Sequence, residues 1–144
     1  MIQRIQSLWL VLSSILFGLE YLKTIPFAMT TNPGLAPLDD KILLTEESPI
    51  LLFGCLASCV LAVIAIFLYK NRSTQILLSG LAGLIQTSCY LGFGFYIIYQ
   101  SGLFSAFKAD LGVYFGLFGL LANWLATKAI RKDSELVKSM DRLR

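Results

Sequence analysis

LGVYFGLFGLLANWLAT, residues 111–127, runs without a single charge into KAIRKDSELVKSMDRLR, residues 128–144, which carries a charge in every helical turn. A helix needs about 20 apolar residues to cross the hydrocarbon core of a bilayer. The segment from Leu111 to about Ile130 therefore reads as a span. The residues after it are too charged to stay in lipid, so the junction at Lys128 marks one membrane face and orients the rest of the chain.

The composition agrees. Of 144 residues, 56% are hydrophobic and 15% charged, and the mean hydropathy is +0.71, whereas soluble domains carry about 25% charged residues. Working back from the last segment, charges cut out three more candidate spans. One covers about 5–25 and stops at Pro26, the next covers about 49–69, and the third about 73–100. The first is the weakest, because Glu20 and Lys23 interrupt its far end, but all are runs of apolar residues without the alternating pattern of barrel strands. The expected fold is all-α: a polytopic four-transmembrane-helix bundle (1–130) with a short amphipathic cytoplasmic helix at the C-terminus (131–144). The start, MIQRIQSLWLVLSSILFGLEYL, has the look of a signal peptide but no small-x-small cleavage site, and it reads as a retained span.

The basic residues set the orientation. With the N-terminus, the KNRS turn (70–73) and the tail in the cytoplasm, that side holds Arg4, Lys70, Arg72, Lys128, Arg131, Lys132, Lys138, Arg142 and Arg144. Nine of the twelve basic residues then lie inside, against Lys23, Lys41 and Lys108 outside. Both termini are expected inside. The 26–48 loop, with its NPG turn signal (32–34) and the acids Asp39, Asp40, Glu46 and Glu47, reads as a solvated outer segment. The 101–107 stretch reads as a turn or short helix along the interface.

Several residues could do more than fill space. Gly112, Gly116 and Gly119 line one face of the last span at a spacing that lets helices approach closely in lipid. Packing within the chain is favoured there over a dimer face. Gln86, Asn123 and Ser58 are polar groups at membrane depth that need hydrogen-bond partners. They read as packing glue before they read as a substrate site. Glu20 is a carboxyl inside a span, a functional candidate by default; with Lys23 three residues on, it is expected to form an interfacial ion pair. The basic set Lys128, Arg131, Lys132, Lys138, Arg142 and Arg144 can meet either the anionic leaflet or a partner protein.

Other chemistries find little support. Histidine is absent, which removes the commonest general base and metal ligand. Cys55, Cys59 and Cys89 lie in apolar runs, as small packing residues do. No nucleophile–base pair, phosphate loop or dinucleotide fingerprint is present, so neither catalysis nor a cofactor or metal is expected. The basic residues lack the interleaved aromatics of a nucleic-acid surface.

MIQRIQSLWL, IAIFLYKNRSTQ and LANWLATKAIRKDSELVKSMDRLR together resemble an uncharacterised four-helix inner-membrane family of Bacteroidota, a domain of unknown function. The resemblance implies a bacterial inner-membrane protein and carries no activity or site residue with it. The functional expectation is a non-catalytic accessory or interaction subunit of a larger membrane assembly, meeting the phospholipid bilayer and a membrane-protein partner or a second copy of itself. The alternative is a small transporter or lipid-binding protein.

Overall fold

The computed structural model describes residues 2–33 and 38–141. Four helices make up most of it: α1 (Ile2–Leu19), α2 (Pro49–Phe67), α3 (Arg72–Gln100) and α4 (Leu111–Asp141). α1 lies against α2 and α4, and α3 lies against the same two, so the four close into a bundle. α2, α3 and the Leu111–Val137 part of α4 are each long and apolar enough to cross a membrane; the apolar part of α1, Ile5–Leu19, is shorter.

Each helix buries a narrow stripe and turns large apolar side chains outward. In α1 the buried positions are Gln6, Leu10, Ser13, Ser14 and Phe17, while Leu8 and Ile15 are exposed. α2 starts on Pro49, whose missing N–H costs nothing at the first helical position, and buries the small residues Gly54, Cys55, Ser58, Ala62 and Ala65. Smallness lets backbones meet. A Cβ at Gly54 would stand 2.9 Å from that of Cys89 on α3. α4 buries Gly112, Gly116, Gly119, Ala122, Asn123, Ala126 and Ile130, a stripe stepping by three and four.

α3 starts behind Asn71, whose side chain accepts from the Thr74 N–H at 3.3 Å. Its central part, Gln86–Gly92, is a π-helix. Buried positions there recur every four residues, at Gln86, Tyr90, Gly94 and Ile98. In an α-helix each such step rotates the face by about 40°, so the stripe would wind away from the core. The wider π turn brings it back.

Residues 28–30, 42–43 and 107–109 form a small sheet that the sequence pattern does not reveal. Strands β1 (Ala28–Thr30), β2 (Ile42–Leu43) and β3 (Phe107–Ala109) lie in the order β2-β1-β3, both pairings antiparallel. Ala28 faces Leu43 on one side and Ala109 on the other. Strands of two or three residues are too short for a period to be read from sequence, which is why they escape a periodicity search. The stretch expected to be a turn or short helix forms a 3-10 turn at Phe104–Ala106 and then joins this sheet as β3. The sheet caps one end of the bundle: Phe27, Leu38 and Leu43 join Leu51, Tyr90, Ile98 and Val113 in one core cluster. A Cβ at Gly94 would collide with the Phe27 ring. A second cluster, Leu10, Ala65, Ala126 and Ile130, fills the opposite end.

Two expectations change. The tail is no separate helix, because α4 runs unbroken from Leu111 to Asp141. Lys23 does not pair with Glu20. Its ammonium meets Glu46 at 2.9 Å, because Glu20, the first residue past α1, continues the helix's inward stripe while Lys23 lies four residues past the helix end and is exposed.

Candidate functional site

Glu20 follows Phe17 by three residues and so extends the buried stripe of α1 by one more turn. It is 0% exposed. Both of its carboxyl oxygens accept from Nε2 of Gln86, at 2.7 and 2.8 Å. Gln86 Oε1 in turn accepts from the Ser58 hydroxyl at 2.7 Å, which also lies 2.7 Å from the Gly54 carbonyl. The fourth wall is Gly116, where a Cβ would stand 3.2 Å from Glu20 Oε1 and 3.4 Å from Gln86 Nε2. The residue just past α1 therefore supplies the acid, α2 a hydroxyl, α3 an amide and α4 a gap.

The surroundings keep water and cations away. The Glu20 backbone carbonyl accepts from the Thr45 hydroxyl at 2.7 Å, and Thr45 Oγ1 lies 3.4 Å from the Tyr90 hydroxyl. The Cys55 thiol is spent on the Phe17 carbonyl at 3.0 Å. Among the described residues, the ion pairs are Lys23–Glu46 and Arg72–Asp133, so no cation answers Glu20. The pattern can hold a carboxyl in either protonation state. With an ionised carboxyl the amide presents its NH2, as seen. With a protonated one, a flipped amide offers its oxygen to the carboxyl O–H and its NH2 to Ser58.

A second polar cluster ties α3 to α4. The Ser79 hydroxyl donates to Asn123 Oδ1 at 2.8 Å, and Asn123 Nδ2 donates to the Ser79 carbonyl at 2.8 Å. Thr127 closes the set, 2.6 Å from Ser79 Oγ. Two glutamines staple other pairs: Gln75 to the Ala65 carbonyl at 3.0 Å, and Gln6 to the Ala129 carbonyl at 3.2 Å.

The structure thus brings Gln86 and Ser58 together and leaves Asn123 elsewhere. Gly112, Gly116 and Gly119 all face elements of the same chain: the Pro26–Phe27 backbone, the Glu20–Gln86 pair and the Phe17 ring respectively. Of the basic set, Lys128 lies over the Trp124 ring, 5.1 Å from its centroid, and Arg131 and Lys132 are exposed. The Lys138 side chain, Arg142 and Arg144 lie outside the described residues. Among those described, no three His, Cys, Asp or Glu side chains gather as metal ligands.

The acids of the 39–47 stretch serve local roles. Glu46 binds Lys23, Asp40 accepts from the Ile42 N–H, and Glu47 accepts from the Leu44 N–H at 2.9 Å. Burial raises the Glu47 carboxyl above its ordinary pKa, against the lowering effect of that N–H. Gln6, Gln75 and Ser79 escape a sequence search because they lie near the charged helix ends, where polar residues are expected. Glu20 had a signal: its three-residue step from Phe17.

The fold defines a class, an all-helical bundle with three helices long and apolar enough to span a bilayer. Within that class, the chain belongs to the family described as a domain of unknown function (DUF4293), which matches it over residues 2–143. No curated protein and no solved structure matches it.

Proposed function

We propose that the chain is a bacterial inner-membrane protein of four spans with both termini in the cytoplasm, acting as a non-catalytic interaction subunit of a larger membrane assembly. The observation that carries this reading is the length of α4. Its 31 residues extend about 46 Å at 1.5 Å per residue, well past a hydrocarbon core of about 30 Å. The excess is a rigid, charged rod tied to the bundle by Arg72 and Asp133 at 2.9 Å. On it, Arg131, Lys132, Glu135 and Leu136 are exposed.

The four-span topology has its own support. α1 buries its stripe between two helices that are long enough to cross, and Gln6 reaches Ala129. The N-terminus, the α2–α3 turn and the basic end of α4 therefore share one end of the bundle, opposite the sheet. A fluorescent-protein fusion at the C-terminus should glow, while a periplasmic phosphatase inserted after Asn32 should be active. The reverse pattern overturns the topology. For the role, affinity purification from native membranes should recover a stoichiometric partner that is lost when 134–144 are deleted. A chain that purifies alone and monodisperse overturns it.

The second reading, a small transporter, is favoured by one observation: Glu20 is a buried carboxyl with no cation beside it among the described residues. Asn123 does not share its site, so transport would depend on Glu20 and Gln86. Proton or cation flux into proteoliposomes that disappears in Glu20→Gln supports this reading, and flux indifferent to it removes Glu20 from any pathway.

A further inference from the structure

Two hollows along α4 share lining residues and join into one groove, the smaller lying where α3 meets α4 and the larger lined by α4 residues alone. The larger, about 620 Å³, is lined by Trp124, Thr127, Lys128, Arg131, Lys132 and Glu135. The smaller, about 380 Å³, continues toward the sheet end past Gly80, Gly83, Leu84 and Leu120. Trp124, Thr127 and Arg131 line both. Gly80 borders open space, since a Cβ there would meet nothing within 4 Å.

The two ends differ in chemistry. The larger hollow holds three cations against one carboxylate, Glu135. Arg72, at the start of α3, is already bound to Asp133. The smaller hollow is mostly apolar and opens sideways along exposed apolar helix faces such as Leu84 and Leu121. Trp124, 58% exposed, stands between them, where an indole ring favours the headgroup level.

We infer that this groove binds one anionic glycerophospholipid of the surrounding leaflet, with its phosphate and acidic headgroup against Lys128, Arg131 and Lys132 and one acyl chain laid along Gly80, Leu84 and Leu120. The inference rests on the proposed membrane-embedded state of the bundle. Charge complementarity selects the headgroup, as a cluster of basic residues at the end of a membrane helix does for anionic lipids. The apolar half selects a lipid over a soluble phosphate, which would leave that half empty. The side-facing opening lets the ligand enter from the bilayer.

The chain's two tryptophans are Trp9 and Trp124, so Trp9→Phe leaves Trp124 as sole reporter. The full-length protein is reconstituted in phosphatidylcholine vesicles containing a small equal fraction of either brominated phosphatidylglycerol or brominated phosphatidylcholine. The anionic quencher should act more strongly. Arg131→Gln should lower that preference about fivefold, the size expected of one basic residue at an anionic leaflet. Gly80→Phe, which fills open space without changing charge, should also reduce it. Lys70→Gln, at the same end of the bundle but outside the groove, should leave it intact.

Equal quenching by the two lipids overturns the site while keeping the protein in the membrane. An equal loss in Lys70→Gln and Arg131→Gln overturns it in favour of diffuse surface charge. Quenching by neither lipid overturns both the site and the membrane reading.

Discussion

The bundle contains two buried polar clusters of opposite character. At the Glu20 level all four helices converge: an acid, a hydroxyl, an amide and a glycine gap, each from a different part of the chain. At the Asn123 level two helices suffice, and Ser79, Asn123 and Thr127 satisfy one another with neutral groups. Asn123 and Ser79 could meet wherever α3 lies beside α4. Glu20, Gln86 and Ser58 can meet only if α1, α2 and α3 hold one rotation and one depth and α4 turns Gly116 toward them. The first cluster specifies the bundle; the second fastens a pair within it.

The largest test of that contrast is Gln86→Leu. It strands the Glu20 carboxyl without its donors, and a stranded buried polar group costs up to about 3 kcal/mol. Unfolding in mixed micelles should show a large loss for Gln86→Leu and a much smaller one for Glu20→Leu combined with Gln86→Leu, since replacing both partners with apolar groups is nearly neutral. The coupling from that double-mutant cycle is the quantity to read. A Gln86→Leu variant no worse than an Asn123 variant would erase the distinction between the clusters.

Gly119→Ala comes next. Its Cβ would stand 2.6 Å from the Phe17 ring, one turn of α1 from Glu20, and overpacking of this kind costs about 1–3 kcal/mol. The same variant separates packing within the chain from packing between chains. Lost stability with an unchanged oligomeric state places the glycine face inside the bundle, while a change of oligomeric state with stability kept places it at a dimer contact. Asn123→Ala should cost less, roughly 0.6 to 2 kcal/mol for interhelical hydrogen bonds in lipid, with the loss confined to the α3–α4 contact. Hydrogen exchange in α1 and α2 should not change.

How much of this is legible in the sequence depends on length scale. Long apolar runs and their bounding charges read directly as helices, because both features span many residues. The sheet does not, since Ile42–Leu43 is two residues long and only its pairing with β1 makes it a strand. The π segment is visible in hindsight as the four-residue recurrence Gln86, Tyr90, Gly94, Ile98, a spacing no straight α-helix keeps on one face. Gln86, Ser58 and Asn123 could each be singled out as polar groups at depth, but which of them meet depends on helix neighbours. Those neighbours are set by tertiary packing.

The smallest expected effect bears on Glu20 most directly. A spacing of three on a helix normally makes neighbours of an acid and a base, so sequence alone assigns Lys23 to Glu20. The structure gives Lys23 to Glu46, with the lysine side chain 75% exposed, and gives Glu20 to Gln86. Lys23→Gln should therefore leave thermal stability in detergent unchanged within error and should not alter the Gln86→Leu penalty when the two are combined. If Lys23→Gln instead destabilises the chain as Gln86→Leu does, Glu20 has a cation after all. Its burial would then be ordinary ion pairing at a helix end, and the contrast between the two clusters would reduce to distance from the bilayer surface.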